Sequence, residues 1–195
     1  DLFFALSGFL IAILLFEEFR ATGGVRWGRF LTRRAFKIYP GFYVLIAVTV
    51  ALWTSSSDGW ELARNAMAEI FFVQNYFYGL WLHTWSLAVE EQYYLLFPLL
   101  FLFAWRRWPA RAPLLLLALA LLSLAASEAL AAKDPSTAFY MMPSRLWELI
   151  AGAWLACRRD GASPHAAISG PARMLPPLGL AMIVAAMAVP GWQSM

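Results

Sequence analysis

Two adjacent carboxylates, Glu90 and Glu91, stand in "HTWSLAVEEQYYLLFPLL", His83 to Leu100, behind a histidine and a serine and ahead of an apolar run. Read as one helix, this stretch puts Glu90 two turns after His83, on nearly the same face and about 10 Å further along at 1.5 Å per residue. Ser86 falls between them, and Tyr93, Tyr94 and Phe97 continue along that side. Glu91 is rotated by about 100° and faces a neighbouring helix. The stripe carries a base candidate, a hydroxyl and a carboxylate, pointing into the bundle. The plainer reading is ion pairing, with Arg145 as the obvious partner for Glu90 and Glu91. An ionised group at mid-bilayer costs at least ~2.5–3.5 kcal/mol, so such residues mark functional sites by default.

Three further constellations accompany the carboxylates. In "PSRLWELIAG", Pro143 to Gly152, Arg145 and Glu148 are three residues apart on one helix and can pair with each other. In "RFLTRRAFKIYP", Arg29 to Pro40, the charges of Arg33, Arg34 and Lys37 cluster over about one turn. Such clusters set topology and bind anionic lipid; the sharper reading is an anion site for a phosphorylated cytosolic ligand, since Arg suits bidentate phosphate contacts. Tyr39, Trp85 and Ser86 join the candidate substrate-binding set. In "DLFFALSGFLI", Ser7 and Gly8 interrupt an apolar run, as small residues do where helices pack closely. No G-x-S-x-G surrounds Ser7 to mark it as a nucleophile. Cys157 is the lone cysteine and reads as an apolar filler, and His165 falls in a polar loop. No metal-ligand, Walker or Rossmann pattern is present, so no metal or bound cofactor is expected.

The elements that must position these groups follow from composition. The 195 residues are 62% hydrophobic and 14% charged, against roughly 25% charged in a soluble domain. Apolar runs recur, so the expected fold is all-α: a polytopic transmembrane helical bundle. Six spans are predicted, Leu2–Phe16, Ile38–Trp53, Leu82–Trp105, Ala112–Ala132, Ala138–Cys157 and Leu175–Pro190. Trp60–Tyr78 carries apolar residues at Leu62, Ala66, Ile70 and Val73, the spacing of an amphipathic helix at the interface or packed on the bundle. Gly161–Pro177 reads as a loop.

Charge fixes an expected orientation. The loop 17–37 holds Arg20, Arg26, Arg29, Arg33, Arg34 and Lys37, while 54–81 holds only Arg64 as a cation. Arg106, Arg107 and Arg111 follow the third span, and Arg158, Arg159 and Arg173 the fifth. Twelve of the fifteen Lys and Arg residues thus fall on one side, which the positive-inside rule makes cytoplasmic for loops 17–37, 106–111 and 158–174. The net charge of +3 is explained by those loops, and nucleic acid is not an expected partner. Trp53, Trp60, Trp81 and Trp85 fall near the predicted outer interface, and Trp27, Trp105, Trp108 and Trp154 near the inner one, as aromatic belts do. The chain opens at Asp1 without an initiator Met, and both ends are abrupt. The expectation is one integral-membrane domain over 1–195, incomplete at both ends.

In "DLFFALSGFLI", "RFLTRRAFKIYPGFY", "HTWSLAVEEQYYLLFP" and "RLWELIAG", in that order, the chain resembles the acyltransferase 3 family, bacterial membrane O-acyltransferases that modify envelope sugars. The resemblance covers Asp1 to about Gly152. It implies an all-helical bundle of about ten spans, of which this chain matches the middle. It implies a bacterial inner-membrane enzyme that moves an acyl group, usually acetyl, from cytosolic acyl-CoA to a hydroxyl of an envelope polysaccharide or other glycan. Acyl-CoA would be a co-substrate, with lipid and a carbohydrate acceptor as the other partners. The family's catalytic histidine lies on a span ahead of "DLFF", so His83 matches its second recurrent histidine. The resemblance then implies catalytic roles among His83, Glu90, Glu91, Arg145 and Glu148, and CoA-phosphate contacts from Arg33, Arg34 and Lys37. Two rivals share the intramembrane charges: a proton-coupled transporter or flippase, which needs inverted repeats or paired broken helices, and a non-catalytic membrane scaffold.

Overall fold

The computed structural model describes residues 2–53, 58–77 and 79–160. Within them the chain is helical without a strand: α1 (Leu2–Thr22), α2 (Trp27–Trp53), α3 (Gly59–Ile70), a 3-10 turn (Leu82–Thr84), α4 (Trp85–Arg107), α5 (Ala112–Ala131), α6 (Pro135–Tyr140) and α7 (Met142–Asp160). Four stretches are long and apolar enough to cross a membrane: α1, α2, the 3-10 turn with α4, and α5. The backbone of such a helix satisfies its own hydrogen bonds, which is what hydrocarbon demands. Outward faces stay apolar, with Val44, Val48 and Leu52 on α2 and Leu114, Leu121 and Leu122 on α5 exposed. These are the lipid-facing surfaces of an integral membrane protein.

α1 stops at Gly23, whose φ of +70° suits a glycine cap, and the Gly23 N–H donates to the Phe19 carbonyl at 2.8 Å. Only residues 23–26 then separate α1 from α2. The expected loop 17–37 is therefore corrected: both helices run on past the apolar runs, carrying Arg20 at the end of one and Arg29 to Lys37 near the start of the other. Hydropathy marks where hydrocarbon contact ends, and a helix continues wherever its charged turns meet headgroups and water. Pro40 lies inside α2 and removes one rung of its ladder.

The predicted fifth span, Ala138–Cys157, is divided rather than continuous. Met141 is extended (φ −79°, ψ 138°) between α6 and α7. Pro143 lacks the N–H that would bond the Phe139 carbonyl, and the Arg145 guanidinium Nε donates to that carbonyl instead, at 3.0 Å. Ser144 Oγ donates to the carbonyls of Ala138 and Met141, and Asn75 Nδ2 to that of Tyr140. The break's freed acceptors are thus met by side chains, as buried backbone requires. The predicted sixth span, the Gly161–Pro177 loop and His165 lie outside the described residues.

α1, α4 and α7 begin at one end of the bundle. Phe4 of α1 packs on Trp85 of α4 at 5.7 Å, Phe16 on Trp105 at 4.9 Å, and Arg145 of α7 lies over the Trp85 ring at 5.8 Å. α7 lies along α1 at backbone contact. A Cβ on Gly8 would stand 1.9 Å from the Leu149 carbonyl oxygen, and one on Gly152 1.9 Å from that of Ala5. The small residues read in "ALSGF" thus do serve close packing. Ile11, Leu15, Tyr93, Phe97, Phe101, Leu149 and Ile150 fill the core between α1, α4 and α7.

The amphipathic stretch forms α3, capped by the Asp58 carboxylate on the Trp60 N–H. Leu62 and Ala66 bury against Phe42 and Ile46 of α2, so α3 packs on the bundle. It ends at Ile70, and Phe72, two residues on, holds a left-handed φ of 53°. For a bulky residue that strain is of order 1–3 kcal/mol. It is offset by stacking on Phe42 at 5.1 Å and by Gln92 Nε2, which donates to the Phe72 carbonyl at 2.8 Å.

Candidate active site

Glu90 and Glu91 point into the bundle, each less than a tenth exposed. Ser7 of α1 and Tyr94 of α4 share a 2.6 Å hydrogen bond beside the Glu90 carboxylate. Tyr39 of α2 donates to Glu91 Oε2 at 3.1 Å. Arg34 acts electrostatically on both carboxylates, and its guanidinium lies 4.9 Å from the centre of the Tyr94 ring. Three helices therefore contribute to one polar cluster amid apolar core. Oε1 of Glu90 and Oε1 of Glu91 are buried with no hydrogen-bond partner among the described residues.

Arg145 as partner of Glu90 and Glu91 is corrected. Its Nη1 meets Glu148 Oε1 at 2.8 Å, its plane covers the Phe139 ring at 4.5 Å, and its Nε holds the Phe139 carbonyl. Arg145 and Glu148 close the α6–α7 break, while the carboxylates take their cation from α2. The shared face of His83 and Glu90 is corrected too. His83 sits in the 3-10 turn, exposed, with its ring 6.5 Å from that of Trp81. A turn wound at three residues rather than 3.6 destroys the seven-residue register. Ser86 donates to the His83 carbonyl at 3.5 Å, and Trp85 packs between Phe4, Phe139 and Tyr140.

Arg33, Arg34 and Lys37 line one cleft of about 570 Å³, together with Arg26, Arg29, Glu17 and Glu18. This cleft lies where α1 ends and α2 begins, the end at which Phe16 meets Trp105. Arg34 belongs both to the cleft and to the carboxylate cluster. At the opposite end, around Trp85, a second cleft of about 580 Å³ lies between the 74–85 segment and α6. A smaller one, about 350 Å³, is lined by Tyr39 and Glu91.

Sequence reading missed Glu69. It is fully buried, and its Oε1 accepts from Thr84 Oγ1 at 2.8 Å and from the N–H groups of Leu80 and Trp81. Burial pushes its carboxyl above the ordinary range, against those hydrogen bonds and the nearby His83. The signal was there: Leu62, Ala66 and Glu69 share helical spacing, so an acid occupies the apolar stripe. The Ser7–Tyr94 pair, 87 positions apart, left no trace in local periodicity. Among the described residues no three His, Cys, Asp and Glu side chains converge as a metal site.

A family model for an acyltransferase domain matches residues 1–195. The O-acetyltransferase OatA of Staphylococcus aureus is 32% identical over 174 residues, covering 80% of this chain and 29% of that protein. The peptidoglycan O-acetyltransferase OatA of Listeria monocytogenes is 32% identical over 177 residues, covering 80% of this chain and 28% of its own. An uncharacterized protein of Haemophilus influenzae is 33% identical over 124 residues, 55% of this chain and 50% of that one. The chain thus spans less than a third of the length of the OatA relatives. No solved structure matches it.

Proposed function

We propose, since the chain belongs to the acyltransferase 3 family, that it moves an acyl group from cytosolic acyl-CoA to a hydroxyl of an envelope glycan. The supporting observation is the position of Arg34. One guanidinium lines the basic cleft at one end of the bundle and also lies over Tyr94 of the buried Ser7–Glu90–Tyr94 cluster.

In this reading the basic cleft faces the cytosol in the bacterial inner membrane. Arg33, Arg34 and Lys37 hold CoA phosphates, with Tyr39 beside them, through charge-assisted hydrogen bonds. The acceptor hydroxyl attacks the thioester carbonyl, its proton passes to a base, and the CoA thiolate leaves. Glu90 and Glu91 stabilise or take up that proton, a role that contributes typically 10²–10⁴-fold. His83, Ser86 and Trp85 lie on the acceptor side, and Arg145 with Glu148 hold the break that shapes it. Acyl-CoA is a substrate, and no resident cofactor is required. The OatA relatives are O-acetyltransferases by name, one of them a peptidoglycan O-acetyltransferase, which points to acetyl as the transferred group and peptidoglycan as the acceptor. Both are the first to test here, ahead of lipopolysaccharide.

The test reconstitutes the full-length protein in liposomes with labelled acetyl-CoA inside and glycan strands outside. Label on the glycan, lost in Glu90→Gln at normal expression, supports the reading. Movement of a solute without label transfer overturns it in favour of a transporter.

A further inference from the structure

We propose that the cleft beside Trp85 is the subsite for an uncharged pyranose ring of the acceptor, an inference that rests on the O-acyltransferase reading. At about 580 Å³ it falls within the roughly 300–1,000 Å³ of small-molecule sites. Its lining combines the indoles of Trp81 and Trp85 with Tyr140, Gln74, Ser136 and Arg64. The Trp81 indole receives the C–H face of a sugar ring and the polar groups its hydroxyls, while Trp85, held between Phe4, Phe139 and Tyr140, walls the cleft.

The hydrogen-bond pattern narrows the ligand. Asn75 is committed at both ends: Nδ2 donates to the Tyr140 carbonyl and Oδ1 accepts from Gln92. Gln74 is committed at one: Nε2 donates to the Thr84 carbonyl at 3.0 Å, while Oε1 is buried without a partner among the described residues. A buried acceptor in that state calls for a donor, and a sugar hydroxyl is one where phosphate and carboxylate are not. One cation, Arg64, and one anion, Asp134, line the same cleft, so it carries no net charge to select an anion. The Asp134 carboxylate is already engaged by the backbone N–H groups of Ser136 and Thr137. The cleft also lies at the end of the bundle away from the arginine cluster, where acceptor and donor approach from opposite faces.

Ser136→Trp plugs the cleft from an exposed position, and Gln74→Leu removes the unpartnered acceptor. Full-length protein in nanodiscs is mixed with a neutral N-acetylglucosamine oligosaccharide, and saturation-transfer NMR reads contact. Transfer of labelled acetyl to glycan strands is followed in parallel. The expected result is contact in the wild type and its loss in Ser136→Trp. The KM for glycan should rise about tenfold in both variants, the scale of one lost buried hydrogen bond, while the KM for acetyl-CoA holds. Wild-type contact and glycan KM in both variants would overturn the subsite and leave the indoles as an interfacial belt. Transfer with no contact signal in the wild type overturns it as well. Sugar contact without any acetyl transfer removes the O-acyltransferase reading and leaves the subsite standing.

Discussion

Glu69 is a fully buried acid with three donors aimed at one oxygen. Glu69→Ala leaves those donors without an acceptor, at roughly 1–3 kcal/mol per unsatisfied group, and should lower the midpoint of thermal unfolding in detergent. The pH dependence has a definite sign. Burial raises the Glu69 carboxyl in the folded state, so the folded protein keeps a proton that the unfolded chain has already lost. Its contribution to stability is complete below the ordinary carboxylate range and declines as pH rises through the raised value. Glu69→Gln should flatten that decline, which unfolding midpoints collected across the acid range would reveal. At Glu90 the readout is catalytic. Glu90→Gln keeps the shape that Ser7 and Tyr94 grip, so kcat should fall by about 10²–10⁴ with the fold intact. An unchanged kcat would assign Glu90 to packing alone. The place of Glu69 in an apolar stripe was legible in its spacing, but the donors that reach it from 80–84 were not. Glu90 stood out as a charge in an apolar run, but its partners lie on α1 and α2, and only the folded bundle selects Arg34 over Arg145.

The elements were legible where one signal ruled and obscure where two competed. Apolar runs located α1, α2, α4 and α5, since hydropathy alone decides a lipid-facing helix. The α6–α7 break escaped because Ala138–Cys157 stays apolar across it. Pro135 and Pro143 stand in the first turns of α6 and α7, where proline belongs, and that local cue yields to the longer hydropathic window. The same reading stopped α1 and α2 too early, at their first charges. Close approach of α1 and α7 was legible in Gly8 but not its partner, Gly152. Gly8→Ala and Gly152→Ala each drive a methyl into backbone oxygen, an overpacking cost of typically 1–3 kcal/mol. Both should lower the unfolding midpoint. Gly41→Ala, which meets nothing within 4 Å, should hold or raise it by helix propensity, worth up to about 1 kcal/mol. Equal midpoints for all three would refute the contact.

Across the whole molecule, two clefts open at opposite ends of one bundle, with buried carboxylates between them. Arg33 lines only the first cleft, whereas Arg34 lines the cleft and lies over the Tyr94 ring beside the carboxylates. Steady-state kinetics on the reconstituted full-length protein should therefore separate them. Arg33→Gln should raise the KM for acetyl-CoA, by about tenfold for a charge-assisted hydrogen bond near 1.5 kcal/mol, and spare kcat. Arg34→Gln should raise KM and lower kcat together. If only membrane orientation shifts, the cluster serves topology. The up-and-down order of helices and the basic end were both legible, because lipid and the positive-inside rule act on composition. The reach of one arginine from the basic cleft to the Tyr94 ring was not. α2 carries that arginine on the near side of Pro40, where a missing amide leaves the Phe36 oxygen without its helical donor. α1 and α7, clasped glycine to carbonyl, have no slack to yield. Any bending of α2 should therefore centre on Pro40, with Arg33, Arg34 and Lys37 together on its near side.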